Sequence, residues 1–140
     1  MRGHIFLDTS FIIALEDADD QNRKMAITFW NSFKKKPAKL TTTTYVFDET
    51  VTFLRKRISY AKAAYVGKLI LSSPMVEMVH ISKEDFEKGW EMFLKYQDKY
   101  FSFTDCLSFL VMEQRNIKKA LTFDEHFSQK GFCMIPLFSL

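Results

Sequence analysis

The stretch His4-Ile5-Phe6-Leu7-Asp8-Thr9-Ser10-Phe11-Ile12-Ile13-Ala14-Leu15 decides the fold. It holds two apolar runs separated by one acid and two hydroxyls. The first run is too short for a helix and reads as a buried strand ending at Asp8; the second, from Thr9, reads as a short first helix. The same design returns late in the chain, where Ala120-Leu121-Thr122-Phe123 reads as a strand ending at Asp124.

The segments between these ends alternate in period. Ala26, Phe29, Trp30 and Phe33 recur at helical spacing from Asn22 until Pro37 stops the pattern. Lys39 to Thr42 is a weaker, threonine-rich strand. Phe47, Val51, Leu54 and Ile58 mark one face of a helix reaching about Arg57, and Ser59 caps another that ends before Pro74. Met75 to Ile81 alternates as a strand. Ser82 then caps a helix carrying Phe86, Trp90, Phe93 and Leu94; it has the Ser-x-x-acid form, but a full capping box takes Glu or Gln where Asp85 stands. Phe103, Cys106, Leu107, Leu110 and Val111 define a further helix, and Phe132 to Ile135 a final strand. Short apolar strands alternating with amphipathic helices predict an α/β fold with a central, mostly parallel sheet.

A chain of 140 residues, 47% hydrophobic and with 15 Phe, fits one domain with one core over 1–140. Four Gly and three Pro leave little material for a linker. No apolar run approaches the roughly 20 residues that span a bilayer, which excludes a membrane-helix class. The first residues lack the apolar region of a secretory signal, so the expected compartment is the cytoplasm. Cys106 and Cys133 sit far apart in apolar patterns and are expected to be reduced and buried rather than paired or zinc-bound. His4 and His80 have no metal-ligand spacing and read as structural. The net charge of +3 is uneven, with clusters at 34–39, 55–62 and 118–119 that read first as solvated helix ends and are compatible with RNA without arguing for it.

The informative acids are those embedded among apolar residues, because a buried carboxylate is costly unless it is paired or metal-bound. Asp8 and Asp124 fall at the carboxyl ends of strands, where parallel α/β folds place ligands. Asp105 lies in the first turn of its helix and Glu49 near the start of another. Taken one at a time, each is as well explained by a cap or a turn. Together, with Thr9, Ser10, Thr50, Thr104 and Thr122 beside them, they make a site for a hard cation, for which oxygen ligands suffice.

These segments also carry a resemblance. Ile5-Phe6-Leu7-Asp8-Thr9-Ser10 resembles the opening motif of PIN domains, and Phe47-Asp48-Glu49-Thr50 their helix-borne Glu segment. Phe103-Thr104-Asp105-Cys106 resembles the third acidic motif and Leu121 to Phe127 the fourth. Order, spacing and length agree from Ile5 to about Ile135, and a chain of this size is most similar to the VapC toxins of toxin–antitoxin pairs. The one departure is Ser10, where Asn is also common.

The resemblance implies a PIN-like three-layer α/β/α fold and an endoribonuclease dependent on Mg²⁺ or Mn²⁺. It also implies a homodimer inhibited by a VapB-type antitoxin. Asp8 and Asp105 become the principal metal ligands, completed by Glu49 and Asp124, with Ser10 and Thr104 orienting ligands or waters. Arg55, Arg57, Lys62 and Arg115 are candidates for RNA phosphates, and His126 a lesser candidate for touching phosphate. Two other functions fit the same fold: a PIN nuclease of RNA processing without an antitoxin, and a non-catalytic RNA-binding or regulatory module. A phospho-receiver domain would want paired acids after the first strand and a later strand-end Lys, neither of which is evident.

Overall fold

The computed structural model describes residues 3–137, so residues 1–2 and 138–140 of the expected 1–140 domain, and the expectation for the extreme N-terminus, lie outside the described residues. The elements run β1 (His4–Leu7), α1 (Thr9–Glu16), α2 (Arg23–Phe33), β2 (Lys39–Thr43), α3 (Thr44–Arg57), α4 (Tyr60–Ser72), β3 (Val76–Val79), α5 (Lys83–Lys95), α6 (Phe103–Gln114), β4 (Lys119–Leu121), α7 (His126–Gln129) and β5 (Cys133–Ile135). The sheet has the order β3-β2-β1-β4-β5, and every pairing is parallel.

Period-two alternation makes β1 two-sided. Phe6 enters a core with Val46, Cys106, Phe109, Met112 and Phe127. Leu7, its neighbour, faces the other way, into Phe11, Ala26, Leu54, Val66 and Leu121. Helices therefore cover both faces: α1, α2 and α4 on one, α6 and α7 on the other, with α3 contributing Leu54 to the first and Val46 to the second. These are the three layers expected of the fold.

The strand order reverses between β1 and β4. From β1 the chain moves outward through β2 to β3, then crosses to the far side of β1 to form β4 and β5. Such a reversal opens a crevice at the carboxyl ends of the two central strands. Asp8 follows β1 directly, and Asp124 stands three residues beyond the end of β4.

Short polar side chains start the helices. Asp8, Thr43, Ser59, Ser82 and Ser102 each accept a backbone N–H in the first turn of α1, α3, α4, α5 and α6. The reciprocal capping box, however, closes at Ser102–Asp105 rather than at Ser82–Asp85. Asp85 is drawn away because its carboxylate accepts from Gln114 Nε2 at 3.0 Å.

Three further details differ from the sequence reading. The late strand stops at Leu121, although Thr122 N still donates to Ile135 O at 3.1 Å, and the Thr122 hydroxyl is given to Asp8. Helix α7 is four residues long and too short to show a period. Cys133 is exposed, not buried: it opens β5, the edge strand, whereas Cys106 is enclosed in the second core. Both cysteines are free. Among the described residues no helix is long and apolar enough to cross a membrane.

Candidate active site

The crevice is a cleft of about 390 Å³ lined by Asp8, Ser10, Glu49, Tyr100, Ser102, Asp105, Asp124 and His126, with Thr9, Ile13 and Phe53 completing its walls. All four acids singled out from the sequence line it. Each is delivered by a different local device.

Asp8 is the N-cap of α1 and is almost wholly buried. Three donors converge on one of its oxygens: Thr122 Oγ1 at 2.7 Å, Ser10 Oγ at 2.8 Å and Ser10 N at 3.4 Å, all to Oδ2. The hydroxyls of Ser10 and Thr122 lie 3.0 Å apart and each accepts a backbone N–H, Ser10 from Phe123 at 2.9 Å and Thr122 from Asp124 at 3.0 Å. This net ties the end of β1 to the segment after β4 and fixes the Asp8 carboxyl in orientation. Burial pushes that carboxyl up to about 7, and the nearby charges of Asp105 and Asp124 add to the rise, against the lowering effect of the Thr122 and Ser10 hydrogen bonds.

Asp105 is held by the capping box, its Oδ2 accepting from Ser102 N at 3.0 Å while Ser102 Oγ accepts from Asp105 N at 2.9 Å. Burial raises its carboxyl, the Ser102 bond opposes this, and Asp124 raises it further. Asp124 is oriented by an Asx turn, with Oδ1 accepting from His126 N at 2.9 Å. His126 then turns its Nδ1 to both acids, 3.1 Å from Asp105 Oδ2 and 3.2 Å from Asp124 Oδ1. Glu49, on α3, lines the same cleft and is exposed. Thr50, the next residue, is buried and donates to Thr9 Oγ1 at 3.2 Å, clamping α3 to the start of α1.

The cap readings of Asp8 and Asp105 and the site reading are thus compatible. One oxygen of each acid serves the backbone or a hydroxyl, and the carboxyl as a whole still faces the cleft. Among the described residues, Asp105, Asp124 and His126 bring ligand atoms within 4.8 Å of one another. Two carboxyls converge with an imidazole, and burial holds a third acid of the cleft, Asp8, above the usual carboxylate range. That donor set fits a divalent cation, which would remove the conflict among the charges.

Thr104 does not line the cleft; its carbonyl accepts from Ser108 Oγ at 2.9 Å inside α6. Three of the four candidate phosphate-binding cations are occupied by carboxylates: Arg57 by Asp17 at 3.1 Å, Lys62 by Glu16 at 3.0 Å and Arg115 by Glu77 at 3.0 Å. Arg55 instead lies over the exposed Tyr60 ring, 5.2 Å from its centroid. Tyr100 had no signal in the sequence. It stands 87% exposed on the cleft rim, in the left-handed region with φ of 58°. The reach of His126 to two acids was equally hidden, because α7 had not been anticipated.

An acidic cluster at the switch point of a five-stranded parallel sheet defines a class of α/β protein built to take a cation between strand ends. Within that class the chain belongs to the PIN domain family, whose model matches residues 5–132. It is 36% identical over 128 residues to the 23S rRNA-specific endonuclease VapC20 of Mycobacterium tuberculosis, covering 91% of this chain and 95% of that protein. The crystal structure of that protein, described as a sarcin–ricin loop cleaving toxin, matches with a TM-score of 0.83 and 34% identity, again over 91% and 95% of the two chains. A Rickettsia felis VapBC2 structure, bound to a promoter DNA fragment, matches in fold with a TM-score of 0.67 at 12% identity over 94% and 97%.

Proposed function

We propose that this chain is a single-domain, metal-dependent endoribonuclease acting as the toxin of a VapBC-type pair, with a structured ribosomal RNA loop as its substrate. The observation that carries this reading is the convergence of Asp8, Glu49, Asp105 and Asp124 on one open cleft. The relative of 36% identity, an endonuclease specific for 23S rRNA, supports the substrate class.

Asp8 and Asp105 would be the principal ligands of a Mg²⁺ or Mn²⁺ ion, with Asp124 and Glu49 completing its environment directly or through water. When bound, the ion supplies a water of lowered pKa and neutralises charge on the phosphate. The chain's own residues do the rest. Ser10 and Thr122 hold the Asp8 carboxyl in one orientation, and Ser102 does the same for Asp105, so that little reorganisation accompanies binding. Tyr100 on the rim offers a face on which an unstacked base of a loop can rest, the usual mode of sequence-specific RNA recognition. Arg55 is the candidate cation left free for a phosphate.

The antitoxin of the pair would be VapB-type, and the active toxin a homodimer working in the cytoplasm, where its RNA is found. The test is cleavage of a sarcin–ricin loop oligonucleotide beside a scrambled hairpin of equal length. Cutting of the first and sparing of the second supports the assignment. Binding of a divalent ion with no cleavage of either hairpin or of intact 23S rRNA would transfer the protein to the non-catalytic reading.

A further inference from the structure

We infer that His126 is a direct nitrogen ligand of the metal and makes this site selective for a first-row transition ion such as Mn²⁺ over Mg²⁺. The inference rests on the reading of the cleft as a divalent-cation site and adds a ligand to its four acids.

An octahedral ion with bonds of about 2.1 Å holds adjacent ligand atoms about 3.0 Å apart. His126 Nδ1 lies 3.1 Å from Asp105 Oδ2 and 3.2 Å from Asp124 Oδ1, at hydrogen-bonding distance of the first. Both separations are also close to two such edges, so that an ion would take the place of the proton shared there. One ligand atom from each of Asp105, Asp124 and His126 lies within 4.8 Å of the others. Asp105 Oδ2 and Asp124 Oδ1 each also accept one backbone N–H, from Ser102 at 3.0 Å and from His126 at 2.9 Å, which leaves a carboxylate oxygen further acceptor capacity.

The ring is also held in place. It meets Phe101 edge-on, with centroids 5.4 Å apart and planes at 74°, and Phe101 is buried against Phe109. Its backbone is fixed by the turn at Asp124 and by the start of α7. An imidazole so presented is part of the donor set rather than a mobile neighbour of it. Imidazole suits transition ions, whereas Mg²⁺ prefers oxygen and water.

Pulsed EPR of Mn²⁺ bound to the tag-free protein tests this without reference to cleavage, alongside Mn²⁺ and Mg²⁺ titrations of wild type and His126→Gln. The expected result is nitrogen coupling from a bound imidazole in the wild type and its loss in the variant. The variant should bind Mn²⁺ about tenfold more weakly, with Mg²⁺ affinity changed by less than about threefold. Mn²⁺ bound without nitrogen coupling, or equal losses for both ions, would overturn the inference while leaving the acidic site standing, since a ring that only positions the carboxylates weakens both ions alike. Failure of the wild type to bind any divalent ion would remove the metal reading itself.

Discussion

Thr122 and Asp8, 114 residues apart, are joined by a hydrogen bond of 2.7 Å across the end of the β1–β4 pair. The bond turns a sheet pairing into an oriented carboxyl. The same hydroxyl accepts from Asp124 N at 3.0 Å, so one side chain organises two acids.

Thr122→Val keeps the shape and removes the hydroxyl. Asp8 Oδ2 loses one of its three donors and the Asp124 N–H loses its acceptor, which should cost about 1–3 kcal/mol, read as a shift in urea midpoint at unchanged m-value. Thr122→Ser should recover most of the loss. A valine variant within about 0.5 kcal/mol of wild type would show that the net carries no stability.

The metal-free protein should be destabilised by rising pH through Asp8. Its folded carboxyl sits near 7, against 3.8 for the free group, so between those values the native state binds more protons than the unfolded chain. Stability from this group is then greatest below about pH 4 and declines as pH rises through 7. Asp8→Asn lacks the titration and should gain on wild type from pH 5 to pH 8 in paired denaturation curves. Excess divalent cation should narrow the gap by stabilising wild-type protein. A difference that is flat with pH would refute the account of Asp8.

Tyr100 combines exposure with a left-handed backbone that non-glycine side chains rarely adopt. Tyr100→Gly relieves that conformation and gives up little packing, so thermal stability should rise by up to about 1 kcal/mol. RNA KM should rise as well, because the stacking face is gone. Unchanged KM would confine Tyr100 to a structural role.

The basic residues should divide by their partners. Arg55→Ala should raise RNA KM several-fold and flatten its salt dependence. Arg115→Ala should leave both nearly unchanged, since Arg115 already serves Glu77 through Nη1, 3.0 Å from each carboxylate oxygen. Equal effects of the two substitutions would contradict this division.

Much of this geometry was legible in the chain. The strand end before Asp8 is marked by an apolar run that stops at an acid, the like run before Asp124 marks β4 but overruns its end at Leu121, and the helices announce themselves by period and by serine or threonine caps. What the sequence could not carry is adjacency. Ser10 and Thr122 share Asp8 only because β4 returns beside β1, and the pairing of Arg57, Lys62 and Arg115 with acids 38–46 residues away depends on the same packing. His126 reaches Asp105 through a helix of four residues, shorter than any periodicity. Cys133 reads as buried from its apolar neighbours, yet the sheet order leaves it on an edge strand.

In the function proposed, the convergent carboxyls hold a divalent ion which makes the protein an RNA-cutting enzyme. Incubating 23S rRNA with wild type, Asp8→Asn and Asp105→Asn, each with Mn²⁺, with Mg²⁺ and with EDTA, tests it most directly. The account predicts a discrete cut by the wild type that EDTA abolishes and that both variants lose while remaining folded. Cleavage that persists in EDTA, or in a folded Asp8→Asn Asp105→Asn double variant, would contradict it.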